Sequence, residues 1–157
     1  PLTVELGPGL LQGIFDGVQR PLQEIAERAG DNIPRGLRID SLDRGRAWTF
    51  SPSYELECGR TVTAGTRLGA VQETETIEHR ILVPPDINGE LIDLAPAGDY
   101  TLDKTIARVR DDAGQVHKLK LYQRWPVRRP RPYDKRDHGV EPLITGQRIL
   151  DTFFPLL

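Results

Sequence analysis

The 157-residue sequence has no methionine, one cysteine, three histidines and only 6% aromatic residues. Each shortage excludes a class of chemistry. Cys58 alone cannot close an internal disulfide or build a cysteine-based zinc site, and a lone thiol fits a reducing compartment. It also has no histidine nearby in sequence to activate it as a nucleophile. His79, His117 and His138 are too scattered to match metal-ligand spacing. No apolar run approaches the roughly 18 residues that span a bilayer, and no signal-peptide pattern opens the chain. The G-x-x-x-x-G-K-[ST] phosphate loop and the G-x-G-x-x-G dinucleotide fingerprint are both missing. Gly7-Pro8-Gly9 is the nearest glycine-rich element, and without a following Lys-Ser/Thr it reads as a turn. Carboxylates are plentiful, yet no spacing shows two of them converging, so no self-contained active site is visible. The absent methionine, the start at Pro1 and the apolar finish Phe153, Phe154, Leu156 and Leu157 predict a fragment of a longer chain.

What is present points to short strands. Thirteen prolines and 15 glycines stay below the roughly 25–30% that marks low-complexity disorder, and a chain of this size buries roughly 70% of its unfolded surface. Many turns and one real core are therefore expected. Leu2 to Leu6 is extended and closed by Gly7-Pro8-Gly9. Leu10, Leu11, Ile14, Phe15 and Val18 fall at helical spacing, and Leu22, Ile25 and Ala26 repeat on one face between Pro21 and Gly30. Two short helices joined at Arg20-Pro21 are expected. From Ile39 the pattern changes to strands: Ala47 to Phe50, pieces of Val62 to Val71, Thr76 to Val83, Glu90 to Leu94, and a final hairpin from Ile106 to Tyr122 turning at Asp112-Ala-Gly114. Asn88-Gly89 between apolar runs is a short hairpin signal, because both residues accept positive φ. Strands at this spacing argue for a small barrel or sandwich and against a parallel α/β sheet.

Charge divides the chain. The net charge is −2, but residues 113–157 carry nine Lys/Arg against four acids, so the rest is acidic. The cations concentrate in Arg124 to Arg136, where Arg124, Arg128, Arg129, Arg131, Lys135 and Arg136 are interleaved with Trp125 and Tyr133. Recurring prolines exclude a central strand there and favour an extended, polyproline-like strip lying across another surface. The interaction candidates are Arg124, Trp125, Arg128, Arg129, Arg131 and Tyr133. They could meet nucleic-acid phosphates, although the acidic body offers partners nearer to hand. At the far end Thr145 is the expected N-cap of a short helix bearing Ile149, Leu150 and Phe153.

Two resemblances follow from longer phrases. Glu57-Cys-Gly-Arg-Thr-Val-Thr-Ala-Gly-Thr-Arg-Leu-Gly69, Ile81-Leu-Val-Pro-Pro-Asp-Ile-Asn-Gly-Glu-Leu91 and Ala97-Gly-Asp-Tyr-Thr-Leu102 resemble the barrel-sandwich hybrid of biotinyl and lipoyl carrier domains. A carrier presents a modifiable Lys at a hairpin tip, whereas Asn88-Gly89 holds the turn here and Lys104 lies outside it. The fold is implied; the swinging arm is not, and a carrier-like module without its Lys stands as the alternative. Three further blocks, Val4 to Leu11 with Ile14-Phe-Asp-Gly-Val-Gln-Arg-Pro-Leu22, Leu121-Tyr-Gln-Arg-Trp-Pro-Val-Arg128, and Pro142-Leu-Ile-Thr-Gly-Gln-Arg-Ile-Leu-Asp-Thr-Phe-Phe-Pro155, resemble the catalytic alpha chain, or A subunit, of V-type and archaeal-type rotary ATPases.

That second resemblance implies a linker with two short helices over 1–40, a mainly β bulge domain of barrel-sandwich type over 41–123, and a Pro/Arg-rich strip leading toward a nucleotide-binding domain over 124–157. It implies ATP synthesis or hydrolysis coupled to H⁺ or Na⁺ movement by the parent, with ATP and Mg²⁺ bound outside these residues. Leu156-Leu157 stands where the family approaches its phosphate loop, so no cofactor, metal or catalysis is expected of this chain by itself. The B subunit and the peripheral stalk are the implied partners, and nucleic acid is not among them. The implied location is the cytoplasmic side of a membrane, reached only through the complex, with a scaffold or docking role for the bulge.

Overall fold

Trp48 and Phe50 are buried while Ala47, Thr49 and Ser51, which alternate with them, are exposed, the period-two pattern of a strand with one face in a core. The computed structural model describes residues 2–11, 13–30, 34, 36–131 and 141–156. Among them the chain forms β1 (Thr3–Leu6), α1 (Leu22–Ala29), β2 (Ala47–Pro52), β3 (Thr61–Val62), β4 (Arg67–Gln72), β5 (Glu78–Leu82), β6 (Gly89–Leu94), β7 (Gly98–Thr101), β8 (Thr105–Arg110), β9 (Val116–Lys120), β10 (Gln123–Pro126) and α2 (Arg148–Phe153). The mainly β expectation holds.

Two four-stranded antiparallel sheets, ordered β5-β4-β2-β7 and β3-β6-β8-β9, enclose the core, and β1 pairs with β10 in a third, two-stranded sheet. The four-stranded sheets are not closed into a barrel. Phe50, Leu68 and Val71 from the first sheet meet Val62, Leu91, Ile106, Val109 and Leu119 from the second, together with Leu102 and Leu121 from the connections. Phe50 also takes an edge-to-face contact with Tyr100, their centroids 6.2 Å apart. After β2 the chain moves from one sheet to the other and back repeatedly, so neighbours in sequence are seldom neighbours in a ladder.

That crossing corrects the reading of Asn88-Gly89. β5 and β6 lie in different sheets, so the dipeptide is no hairpin tip. The chain turns at Pro84 to Ile87 instead, the Ile87 N–H donating to the Pro84 carbonyl at 3.1 Å. Asn88 accepts from the Ala64 N–H at 2.9 Å, and Gly89 opens β6. A Cβ on Gly89 would lie 1.9 Å from the Arg110 carbonyl oxygen, so close backbone approach selects glycine here. The final hairpin is as expected: β8 and β9 pair, with Gly114 at φ +81° in the turn.

Two further expectations change. Leu10, Leu11 and residues 13–18 are not helical, and α1 is the helix this region forms. Asp16 accepts from the Val18 and Arg20 N–H groups at 3.0 and 2.8 Å, and the Leu22 N–H returns to the Ile14 carbonyl at 2.8 Å, folding residues 14–22 into a closed loop. Thr145 is not the N-cap of α2; Gln147 holds that position. Asp151 reaches back instead, accepting from the Thr145 hydroxyl at 2.7 Å and the Gly146 N–H at 3.1 Å.

Gly89→Ala is expected to lower stability by about 3 kcal/mol, because backbone must move to admit the methyl. Gly114→Ala, strained in φ but sterically open, should cost about 1 kcal/mol, and Gly17→Ala should be near neutral. Urea unfolding of the three variants gives the ranking; equal loss at Gly89 and Gly17 would contradict the close approach.

Candidate functional site

β1 and β10 bring the two arms of the chain together, and polar side chains gather around them. Their register sets Glu5 opposite Arg124 and Val4 opposite Trp125. The outer edge of β1 is not left open. The Gln19 side-chain amide donates to the Glu5 carbonyl and accepts from the Glu5 N–H, both at 2.6 Å, as a neighbouring strand would. Gln19 has φ +63°, uncommon for a residue with a side chain, and its two bonds to β1 hold it there.

Glu5 is buried and shared between two arginines. Its carboxylate pairs with Arg44 and lies 3.4 Å from the Arg124 Nε. The Arg44 guanidinium stacks on Tyr122, 4.2 Å from the ring centroid. Burial alone would push Arg44 down, but the bond to Glu5 and its negative charge outweigh that and raise it above the ordinary arginine value. Lys120, beside the same tyrosine, donates to Asp103 at 2.9 Å and is raised by that bond.

The second anchor is Glu73, whose side chain is 2% exposed. One carboxylate oxygen accepts from the Gly9 N–H at 2.7 Å and the Leu11 N–H at 3.2 Å; the other accepts from His79 Nδ1 at 3.0 Å. A buried carboxylate needs such partners, and this one fixes the Gly7-Pro8-Gly9 turn against the first sheet. Gly7 packs so tightly on Tyr122 that a Cβ would sit 2.6 Å from the tyrosine Cβ.

The six interaction candidates separate in space. Arg124 is exposed along most of its length but its Nε faces Glu5. Trp125 is buried, its Nε1 donating to the Arg129 carbonyl at 2.7 Å. Arg129 pairs with Asp86 at 2.8 Å, which holds the Asp86 carboxyl below its usual range. Arg131 stacks over Trp125 at 4.9 Å, and Arg128 is exposed. Tyr133, with Lys135 and Arg136, lies outside the described residues. Between Pro126 and Arg129 the strip makes a tight turn, the Arg129 N–H donating to the Pro126 carbonyl at 3.0 Å, in place of the extended run expected there.

Glu5, Gln19, Arg44 and Glu73, which organise the site, are not among the candidates that the sequence singles out. The only local signal is the Asp16-to-Pro21 phrase; Glu73 lies 62 and 64 residues from its backbone partners, beyond any spacing rule. Among the described residues no group of three or more His, Cys, Asp and Glu could hold a metal ion. His117 bonds Asp111 at 2.8 Å, and Cys58 is exposed. Lys104 occupies the turn between β7 and β8, strands of different sheets. The arrangement fixes backbone segments and side chains against one another.

Compared with known proteins, residues 39–128 match the barrel-sandwich domain of ATP synthase alpha/beta subunits. All of the chain aligns at 59% identity with 27% of the V-type ATP synthase alpha chain of Nitrosococcus oceani. It is 52% identical, over 99% of its length, to the A subunit of the A-type ATP synthase of Methanopyrus kandleri, covering 26% of that protein. Over 98% of its length it is 50% identical to the corresponding A subunit of Pyrococcus horikoshii, covering 16% of it. The chain thus spans about a quarter or less of the length of these relatives.

Glu73→Ala should destabilise the chain by about 2–3 kcal/mol, since two backbone donors and His79 lose their acceptor, and Glu73→Gln by less. Thermal unfolding with hydrogen exchange at Gly9 and Leu11 checks this; unchanged exchange would remove the clamp. Asp111 is held below the ordinary aspartate value first by the His117 bond and then by the Gln115 N–H. A depressed carboxyl stabilises above about pH 3.9, and that contribution is lost as pH falls through its folded value. Melting temperature should therefore drop below about pH 4, and Asp111→Asn should make that drop shallower.

Proposed function

The chain belongs to the barrel-sandwich family of ATP synthase alpha/beta subunits, and from that premise we propose that it is the barrel-sandwich part of the catalytic A subunit of a V-type or A-type rotary ATP synthase. The observation that carries this reading is the match along the entire chain to proteins of that name. The parent couples ATP synthesis or hydrolysis to movement of H⁺ or Na⁺. This reading assigns ATP and Mg²⁺ to parts of the parent outside these 157 residues, and the missing phosphate-loop motif supports it. No step of nucleotide chemistry is assigned to them.

The task of the chain itself is docking and scaffolding. A rigid sandwich held at its base by β1 and β10 supports that role, as does the exposure of Leu143, Ile144, Ile149, Phe153 and Phe154, apolar side chains suited to packing against the remainder of a parent chain. The B subunit and the peripheral stalk are the partners this reading assigns. It places the chain on the cytoplasmic side, in the peripheral part of a membrane complex; among the described residues no helix is long and apolar enough to cross a membrane. The pairing of Arg124 with Glu5 and of Arg129 with Asp86 favours packing within the parent chain over phosphate binding.

Two measurements test the proposal. Titration of the chain with Mg-ATP in a calorimeter should show no micromolar binding; a saturable micromolar isotherm would contradict the assignment of nucleotide to the rest of the parent. Replacing the aligned segment of the Nitrosococcus oceani alpha chain with this sequence should retain ATPase activity in the assembled complex. Loss of assembly by the folded chimera would count against this placement in the catalytic chain.

A further inference from the structure

The first four-stranded sheet ends on β5 and the second on β9, and residues of both edges line one cleft of about 520 Å³. The edges do not pair with each other. Beyond their single neighbours β4 and β8, the backbone groups of β5 and β9 make no other hydrogen bond among the described residues. An edge in that condition is a template for strand addition. The cleft has the volume of an ordinary binding pocket, about 300–1,000 Å³, and its apolar lining includes Ile81, Ile87, Leu119 and Leu121.

Its charge has one sign. Arg80, Lys118, Lys120 and Arg124 line it, and no Asp or Glu does. Lys120 and Arg124 are engaged by Asp103 and Glu5. Arg80 and Lys118 are exposed and have no ion pair among the described residues. Cations on an edge also discourage aggregation, but that function accounts for one protected edge at a time. It does not account for a cleft of mixed polar and apolar lining between two edges with cations on both.

We propose that this cleft takes an extended acidic segment of a partner polypeptide, added as a strand between β5 and β9 with its carboxylates at Arg80 and Lys118 and its apolar side chains toward Ile81 and Leu119. Backbone bonds along the open edge would supply affinity, and the cations would select an acidic strand. The inference deepens the docking role and rests on that reading for the existence of a partner. Peptide affinity is a property of the chain alone, so it fails separately from the placement in a rotary ATP synthase.

The probe is a fluorescein-labelled eight-residue peptide of alternating Glu and Val, titrated against the full chain by anisotropy beside an alternating Lys and Val peptide of equal length. Saturable binding of the acidic peptide is expected, weakening as salt rises, with at least a tenfold loss in the Arg80→Glu/Lys118→Glu variant. Both substitutions are at exposed positions, and an unchanged melting temperature checks that the variant folds. Amide shifts in NMR spectra should concentrate in residues 78–82 and 116–121. Absence of saturable binding, equal binding of the two peptides, indifference to the double variant or shifts confined to other residues would each overturn the proposal. So would a dimer of the chain that dissociates in the double variant, which would give the cleft to a second copy.

Discussion

One buried carboxylate decides where the beginning of the chain lies. Glu73 follows β4 and has almost no contact with solvent, so its charge must be met within the protein. It is met by two backbone N–H groups of the turn that follows β1 and by His79 on β5. The turn is thereby fixed to the first sheet, and β1 with it. Only then does the flat packing of Gly7 on Tyr122 become possible, and only with β1 in place does β10 have a strand to pair with. Trp125 is buried because β10 is paired, and Trp125 in turn fixes the Pro126 to Arg129 turn through its indole N–H. The Pro/Arg strip is positioned by a residue more than fifty positions before it.

The consequence is mechanical. β1 and β10 are antiparallel neighbours, so the chain leaves and returns at one place, and everything from Gly7 to Tyr122 is an excursion closed at its base. A freely hinged module would transmit little force or orientation to a partner. Here the base is stiffened from three sides: the Gln19 amide on the free edge of β1, the Glu5 carboxylate between Arg44 and Arg124, and Tyr122 beneath Arg44. Such a base fixes the orientation of the sandwich relative to the two arms of the chain.

Much of this architecture is legible in local pattern. Trp48 and Phe50 alternate with polar neighbours, the Asp111 to Gln115 turn carries the glycine that its hairpin needs, and Ile25 faces inward from a helix ended by Gly30. These are contacts within one element or between adjacent ones, and period or turn chemistry encodes them. The misread places all involve a distant partner or a competing side chain. Asn88-Gly89 satisfies the hairpin rule, but β5 and β6 are in different sheets, and the glycine answers to the Arg110 carbonyl instead. Residues 10–18 have helical spacing, yet Asp16 captures the N–H groups that a helix would use. Thr145 has the right chemistry for a cap and is itself taken by Asp151.

The candidate site shows the same limit from the side of charge. The interaction candidates stand out because cations and aromatics are dense there, and density cannot distinguish a phosphate-binding strip from one that packs inward. The distinction depends on where the acids are. Glu5 and Asp86 lie 119 and 43 residues from Arg124 and Arg129 along the chain, so only the folded arrangement shows that two of the cations already have carboxylate partners. Once those are counted, Arg128 and Arg131 in the strip, and Arg80 and Lys118 on the open edges of the sandwich, are exposed cations without an ion pair among the described residues. An excess of charge in sequence locates cations; the ion pairs made in folding determine which of them remain to meet a partner.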